Sequence, residues 1–218
     1  MSKAKGLVRL IRPANCLMMG FAVFVGAILA SPHPSGSVLL PLAYGFLTGF
    51  ALTAASMAIN DYYDREIDAT NEPHRPIPSG LVSVREATVL AVLLTVVGFV
   101  FASLLGVYCL VIALISYVFL LSYTTIGKRS GLPGNFLVSA CVALPFVFGS
   151  ATVLNRVESN VLLFASMVFL SNSGREITKG IVDVKGDSAQ GVKTLAVRYG
   201  EKKATFAAAV FYVSAVCL

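Results

Sequence analysis

The chain has 218 residues, of which 56% are apolar and only 13% charged, and its mean hydropathy is +0.80. Soluble globular domains carry about 25% charged residues, so this composition excludes a water-soluble domain. The formal net charge is +6, but the basic residues lie beside apolar segments and form no dense run of like charge, which argues against a nucleic-acid partner.

Seven long apolar segments follow one another along the chain, with short polar loops between them. A helix that crosses the hydrocarbon core of a bilayer needs about 20 predominantly apolar residues. The segments lie near residues 14–30, 38–60, 87–105, 107–123, 135–154, 161–173 and 203–218. This pattern predicts an all-α membrane protein, a bundle of about seven transmembrane helices that forms a single domain over residues 1–218.

The charged residues fall almost entirely into alternate loops of such a bundle. Of the 17 Lys and Arg residues, four precede the first segment, three lie between the second and third, two between the fourth and fifth, and seven between the sixth and seventh. Only Arg156 falls on the opposite side, and ten of the 11 acidic residues sort in the same way. The positive-inside rule therefore predicts a multi-pass protein of the cell membrane whose N-terminus and basic loops are cytoplasmic.

An acidic sequence follows the second apolar segment. Residues 60–68 read N-D-Y-Y-D-R-E-I-D, and because no Gly or Pro interrupts them, the helix is predicted to continue through them. Asn60, Asp64 and Asp68 then share one face, which Asp61 joins. Like charges one turn apart destabilise an isolated helix, whereas oxygen ligands suit Mg²⁺ together with substrate phosphate oxygens. The cluster therefore predicts a site for magnesium and phosphate.

A second set of charges follows the sixth apolar segment. Arg175, Lys179, Asp183 and Asp187 succeed one another at intervals of four residues, which on a helix would form one stripe with two cations below two carboxylates. Two glycines within this stretch weaken the predicted helix. Because both acidic sequences follow apolar helices whose ends turn polar, we expect the two helix ends to face each other across a pocket.

Two loops on the same side of the bundle supply further cations. Residues 71–80 contain three prolines, which stiffen a loop around Arg75, and the planar guanidinium of Arg75 is the predicted phosphate contact. Lys128 and Arg129 follow the fourth apolar segment, where anchoring of the topology is an equally good explanation for them.

Magnesium ions together with Lys and Arg can hold a diphosphate and stabilise the charge that develops on it as it leaves. In a membrane, the diphosphate is predicted to carry an isoprenoid tail that lies among the apolar helices. Aromatic rings can stabilise the allylic carbocation that such a reaction produces, although each ring could equally pack against lipid. The aromatic candidates are Tyr62, Tyr63, Phe119, Tyr123 and Phe136.

These residues resemble the signature of the UbiA superfamily of intramembrane prenyltransferases. Residues 60–68 match its N-D-x-x-D-x-x-x-D loop, and residues 183–187 match its second D-x-x-x-D loop. Further segments that look like family features, in family order, are residues 75–80, 123–129 and 191–196. Within the family, residues 12–18 and the compact loops look most like the members that act in archaeal ether-lipid synthesis.

The resemblance implies magnesium-dependent transfer of an isoprenyl group, geranylgeranyl, from its diphosphate to a lipophilic acceptor, geranylgeranylglyceryl phosphate. It also implies two Mg²⁺ ions bridged by the diphosphate. The catalytic and metal-binding residues would be Asp61, Asp64, Asp68, Asp183 and Asp187. The residues that contact the diphosphate would be Asn60, Arg75, Lys128 and Lys179.

The sequence departs from the family pattern in two ways. Gly180 stands where related enzymes often carry an additional Asp, which bears on metal affinity at the second cluster. The family usually has nine spanning helices, and the seven segments counted here predict a chain that lacks its C-terminal helices.

Two other functions stay open from the sequence. A UbiA-type enzyme could instead use an aromatic acceptor, such as 4-hydroxybenzoate or a quinone precursor. The repeated acidic helix ends would also fit an ion or solute transporter, although transporter sites usually lie near the bilayer midplane on interrupted helices.

Overall fold

The computed structural model describes residues 2–33, 36–189 and 191–218, and every regular element in these ranges is helical. The α-helices are α1 (Lys3–Ile11), α2 (Pro13–Ala30), α3 (Leu39–Asn71), α4 (Val84–Leu104), α5 (Val107–Thr125), α6 (Leu132–Leu154), α7 (Ser159–Val182), α8 (Val184–Ala189), α9 (Leu195–Tyr199) and α10 (Glu201–Cys217).

The seven predicted apolar segments correspond to α2 to α7 and α10. By length and composition, five of the helices in the described part of the chain, α2 to α6, are long and apolar enough to cross a membrane. α7 has 24 residues, but Arg175 and Lys179 make its C-terminal part polar, and α10 has only 17 residues. The all-α fold is confirmed, and the number of spans is approximate because these two helices are marginal.

α2 to α6 form a ring in which each helix packs against its neighbours. α3 contacts α2 and α4, α5 contacts α4 and α6, and α2 closes the ring on α6. α7 packs on α6, and α10 packs on α7. Large apolar side chains such as Phe21, Leu93 and Val100 are exposed on the outer surface, which suits a lipid environment.

Close approach of α2 and α6 depends on glycine. A Cβ atom at Gly26 would overlap the carbonyl oxygen of Phe146, and one at Gly149 would overlap the carbonyl oxygen of Val23. Small residues allow helix backbones to meet closely in membranes, where van der Waals contact and not the hydrophobic effect holds helices together. These two glycines therefore set the separation of α2 and α6.

Contacts between residues in the terminal turns of the helices show which helix ends lie together. Lys3 Nζ lies 2.7 Å from Glu86 Oε1 at the start of α4, where Glu86 also closes a capping box with Ser83. At the opposite end of the bundle, Asn160 Nδ2 donates a hydrogen bond of 2.7 Å to the Leu29 carbonyl. The N-terminus and the loop after α3 therefore share one end of the bundle, as the charge distribution predicts.

Candidate functional site

α3 carries the first acidic cluster beyond the apolar part of the bundle, as the absence of Gly and Pro predicts. The helix ends at Asn71, about three turns past Asn60. Asn60 Nδ2 donates a hydrogen bond to Asp64 Oδ2 at 2.9 Å, so these two residues share the predicted face.

Asp61 is the most deeply buried aspartate of this cluster, with 2% of its surface exposed. The Arg12 guanidinium donates a hydrogen bond to Asp61 Oδ1, and Arg75 Nη1 lies 3.6 Å from the same oxygen. Arg12 has a left-handed backbone, with φ 50°, at the junction of α1 and α2. A buried carboxylate is stable only with such partners, so the two cations account for its burial.

Arg75 connects Asp61 to Asp68. Its Nη1 lies 2.7 Å from Asp68 Oδ2, and Asp68 is 6% exposed. The loop is held in place by Ser79, whose hydroxyl donates a hydrogen bond of 2.7 Å to the Arg75 carbonyl. Arg75 therefore contacts the aspartates themselves in this structure, and its contact with a phosphate stays a prediction.

Lys128 pairs with the remaining aspartate of the cluster. Its Nζ lies 2.6 Å from Asp64 Oδ2, and it belongs to the 3₁₀ turn Gly127–Arg129 between α5 and α6. Sequence alone left topological anchoring as an equal explanation for Lys128, whereas the ion pair favours a role in the site. The three aspartates are thus matched by Arg12, Arg75 and Lys128.

The second acidic cluster does not form the single helical stripe that its spacing predicted. α7 ends at Val182, Asp183 has a backbone outside the α-helical region, with φ −97° and ψ 13°, and Asp187 lies in the separate helix α8. The prediction of one continuous stripe is wrong after Val182, because the backbone of Asp183 departs from α-helical geometry. The Asp187 amide still donates a hydrogen bond of 2.8 Å to the Asp183 carbonyl, so the two residues stay close.

Asp187 faces the segment that precedes α9. Burial raises the pKa of the Asp187 carboxyl, the charge of Asp183 raises it further, and a hydrogen bond with Thr194 lowers it. The backbone amide of Lys193, the residue before Thr194, donates a hydrogen bond of 3.4 Å to the Arg129 carbonyl. The second cluster therefore lies beside the same 3₁₀ turn whose lysine binds the first cluster.

Glu176 is a charged residue of this region that the sequence analysis did not select. Its side chain is 10% exposed and accepts hydrogen bonds from Arg175 at 2.9 Å and from Lys179 at 2.9 and 3.0 Å. Lys179 therefore contacts Glu176 and no aspartate in the described contacts. The sequence feature that indicates this pair is the spacing of three residues between Glu176 and Lys179. The sequence analysis considered charges at intervals of four residues and therefore missed it.

Arg12 is the other residue that the sequence analysis did not place in the site. It precedes the first apolar segment, where a basic residue is ordinarily explained by topology. The signal that could have selected it is Pro13, which fixes the start of α2 and confines Arg12 to the turn before it.

Four helices of the ring, α2, α3, α5 and α6, line a partly open cavity of about 390 Å³. Its wall is largely apolar, and its polar residues include Asn60 from α3, Tyr123 from α5 and Arg175 from α7. Asn60 of α3 and Arg175 of α7 both line this cavity, and the meeting of the two acidic clusters across it stays a prediction. None of the five selected aspartates is among the described residues that line it.

Most of the aromatic candidates lie elsewhere. Tyr123 lines the cavity, whereas Tyr62 and Tyr63 pack edge-on against each other, with ring centres 5.3 Å apart, and do not line it within the described residues. Tyr117 and Phe148, which the sequence analysis did not select, also line the cavity. Apolar periodicity could not identify these two, because every face of a membrane helix is apolar.

The oxygen donors of both clusters are carboxylates, which suit Mg²⁺. Within residues 2–33, 36–189 and 191–218, no three His, Cys, Asp or Glu side chains are arranged to hold a metal ion. The carboxylates of the first cluster instead accept hydrogen bonds from cationic side chains. The donor set fits magnesium chemically, and a bound ion would compete with those cations for the same oxygens.

The chain matches a protein-family model described as the UbiA prenyltransferase family over residues 19–218. It is 40% identical over 218 residues to a digeranylgeranylglyceryl phosphate synthase of Natronomonas pharaonis, an alignment that covers 99% of this chain and 76% of the relative. It is also 40% identical over 215 residues to the enzyme of that name from Methanopyrus kandleri, covering 98% of this chain and 77% of the relative.

Solved structures show the same fold. A structure from work on digeranylgeranylglyceryl phosphate synthase in membranes superposes with a TM-score of 0.89 at 32% identity, and the match covers 100% of this chain and 76% of that one. A UbiA homologue from Archaeoglobus fulgidus bound to GPP and Mg²⁺ superposes with a TM-score of 0.81 at 21% identity, covering 97% of this chain and 75% of that one.

Proposed function

The chain belongs to the UbiA prenyltransferase family, and from this premise we propose that it transfers a geranylgeranyl group from its diphosphate to geranylgeranylglyceryl phosphate. The names of the relatives support this acceptor. The homologue bound to GPP and Mg²⁺ supports an isoprenyl diphosphate as the donor and a dependence on magnesium. The product would be an archaeal ether lipid.

The observation that carries this proposal is the position of the acidic end of α3. Asn60 lines the apolar cavity, and Asp64, one turn further along, lies in the charged cluster with Lys128. A molecule with an apolar tail and an anionic head group would place its tail in the cavity and its head beside the cluster. Each CH₂ group buried there contributes about 0.8 kcal/mol to binding.

Two Mg²⁺ ions would be held by the aspartates of both clusters. Bound Mg²⁺ would neutralise the diphosphate and stabilise its negative charge as it leaves. The ligands in this proposal are Asp61, Asp64, Asp68, Asp183 and Asp187. In the same proposal Asn60, Arg75, Lys128 and Lys179 donate hydrogen bonds to the diphosphate oxygens, and the three cations among them exchange their present carboxylate partners for phosphate.

The reaction forms one carbon–oxygen bond and breaks another. The acceptor has one free hydroxyl, because an ether and a phosphate occupy the other two oxygens of its glycerol. That hydroxyl oxygen bonds to C1 of the isoprenyl chain, the bond between C1 and the diphosphate oxygen breaks with its electron pair staying on the diphosphate, and the hydroxyl proton passes to water. Preorganised cations around the diphosphate lower the barrier because negative charge develops there in the transition state.

We place the N-terminus and both acidic clusters on the cytoplasmic side of the cell membrane. Sixteen of the 17 Lys and Arg residues lie on that side of the alternating bundle, and the positive-inside rule favours this orientation. The ion pair between Lys3 and Glu86 supports the assignment of the N-terminus and the loop after α3 to one end of the bundle.

The proposal is tested by comparing two acidic residues of α3 that are two positions apart. In Asp64→Asn we expect magnesium-dependent release of diphosphate from geranylgeranyl diphosphate to fall by a factor of about 100 or more. Glu66→Gln is the matched control, because the Glu66 side chain is 84% exposed and pairs only with Arg65 among its described contacts. Equal turnover in Asp64→Asn and Glu66→Gln would reject the proposed site.

The acceptor is tested separately with radiolabelled geranylgeranyl diphosphate. We expect a labelled product with geranylgeranylglyceryl phosphate and none with 4-hydroxybenzoate or a quinone precursor. Label transferred only to the aromatic acceptors would keep the prenyltransferase assignment and overturn the ether-lipid acceptor.

A further inference from the structure

The cavity is closed at the end that points away from the acidic clusters. α2 and α6 run away from the charged end of the bundle and α3 and α5 run towards it, so the deepest lining residue of each helix can be identified. We call these four residues the cavity floor: Val23, Thr48, Ala113 and Phe148. Their exposed fractions are 1%, 2%, 2% and 5%, so other parts of the protein cover the floor.

The floor is packed against a buried part of the ring. Val23, Ala113 and Phe148 belong to one apolar cluster, which also contains Cys109. Directly after Phe148, Gly149 approaches the Val23 carbonyl so closely that a Cβ atom would overlap it. These contacts come from α2, α5 and α6 themselves, and they leave no path for a chain to continue along the axis of the bundle.

The hydroxyl groups at this depth are bonded within the protein. Thr48 Oγ1 donates a hydrogen bond of 2.9 Å to the Tyr44 carbonyl. Thr152, one turn beyond Phe148, donates a hydrogen bond of 2.9 Å to the Phe148 carbonyl. Because both hydroxyl protons are engaged, the floor suits the end of an apolar chain.

The depth of the cavity matches one length of isoprenyl chain. Thr48 precedes Asn60 by 12 residues on α3, which is about 18 Å along the helix axis. A geranylgeranyl main chain has 16 carbon atoms, and with carbon–carbon bonds of about 1.5 Å it extends about 19 Å. One isoprene unit more or less changes this length by about 5 Å.

We propose that the cavity floor limits the isoprenyl chain of the donor to four isoprene units, an inference that rests on the proposed function. With the diphosphate beside Asn60, the far end of a geranylgeranyl chain reaches Thr48 and Phe148. A farnesyl chain stops short of the floor and buries less apolar surface. A geranylfarnesyl chain, with five units, meets packed side chains that resist displacement.

Phe148 is the specificity-determining residue of this floor, because its ring is the largest of the four side chains. In Phe148→Ala we expect the ratio of kcat/KM for geranylfarnesyl diphosphate to kcat/KM for geranylgeranyl diphosphate to rise by a factor of about 10 or more. Phe146→Ala is the matched control on the same helix. The Phe146 ring packs against Phe164, with ring centres 5.1 Å apart, and it does not line the cavity within the described residues. The ratio should stay at the wild-type value in this control.

A second variant tests the floor in the opposite direction. Ala113→Leu places a larger side chain at the bottom of the cavity and shortens it. We expect the ratio of kcat/KM for farnesyl diphosphate to kcat/KM for geranylgeranyl diphosphate to rise by a factor of about 10 or more. Each ratio is measured within one preparation, so it does not depend on the fraction of a variant that folds.

Donor binding gives the same comparison if a variant turns over slowly. Dissociation constants for farnesyl, geranylgeranyl and geranylfarnesyl diphosphate are measured with magnesium and without acceptor, and the variants should shift the preferred length as in catalysis. An unchanged preference in Phe148→Ala, an equal shift in Phe146→Ala, or a shift to longer chains in Ala113→Leu would overturn the inference. Wild-type protein that uses all three donors equally well would overturn the inference alone, whereas wild-type protein that neither binds nor cleaves any of them would overturn the proposed function.

Discussion

The carboxylates of Asp61, Asp64 and Asp68 are each held by a cation that lies outside α3. Arg12 comes from the junction of α1 and α2, Arg75 from the loop after α3, and Lys128 from the turn after α5. Like charges that would repel one another on an isolated helix are thereby neutralised by tertiary contacts. The cluster is consequently both a candidate ligand set and a structural junction.

The pair between Arg12 and Asp61 is predicted to contribute to stability as well as to the site. The Asp61 side chain is 3% exposed, so in Arg12→Gln a buried charge would retain only the more distant Arg75. We expect a loss of about 2–3 kcal/mol in the free energy of unfolding, measured by thermal denaturation in detergent.

The double variant Arg12→Gln with Asp61→Asn should be more stable than Arg12→Gln alone, because the unpaired charge is then removed. If the two substitutions destabilise the protein additively, the pair does not contribute in this way.

Lys128 and Arg129 are adjacent basic residues with different predicted roles. The side chain of Lys128 contacts Asp64. The side chain of Arg129 is exposed, and the backbone carbonyl of Arg129 accepts a hydrogen bond from the Lys193 amide. We expect Lys128→Gln to raise the KM for the isoprenyl diphosphate by a factor of about 10 or more, and Arg129→Gln to leave it unchanged. Steady-state kinetics of diphosphate release give the KM for each variant. Equal changes of KM in the two variants would show that Lys128 only anchors the topology.

At the scale of helices, the contact between α2 and α6 is set by backbone proximity. In Gly26→Ala the added methyl group would overlap the Phe146 carbonyl, and forcing such helices apart costs about 1–3 kcal/mol. Gly186→Ala in α8 is the matched control, because a Cβ there meets no atom within 4 Å.

We expect the thermal midpoint to fall in Gly26→Ala and to stay the same or rise in Gly186→Ala. The cavity lies between the same helices, so activity should fall together with stability only in the first variant. Equal thermal midpoints for the two variants would show that the close contact does not determine stability.

Helix positions and the continuation of α3 could be predicted from sequence because both follow from local composition. A run without Gly or Pro continues as a helix, and α3 does so as far as Asn71. The end of α7 at Val182 could not be predicted, because no proline or capping residue marks it and intervals of four residues favour a longer helix. The helix ends where α7 packs against the segment before α9, with Gly180 close to Thr194.

At the scale of the whole molecule, both acidic clusters lie beside the turn Gly127–Arg129. Lys128 of that turn contacts the first cluster, and its Arg129 carbonyl accepts a hydrogen bond from the segment that contacts the second. Sequence could indicate which residues carry charge. It could not indicate that one short turn contacts both the first cluster and the segment beside the second, because that depends on how the ring of helices closes.

The central claim is that both clusters bind metal ions around one isoprenyl diphosphate. The most direct test counts the bound Mn²⁺ ions, a paramagnetic substitute for Mg²⁺, by electron paramagnetic resonance. The measurement is made with geranylgeranyl thiolodiphosphate, an unreactive analogue in which sulfur replaces the oxygen that joins C1 to phosphorus. We predict two bound ions with magnetic coupling between them in the wild type, one ion in Asp183→Asn combined with Asp187→Asn, and none tightly bound without the analogue. A metal count that is unaffected by loss of the second cluster, or two ions without magnetic coupling, would contradict the account.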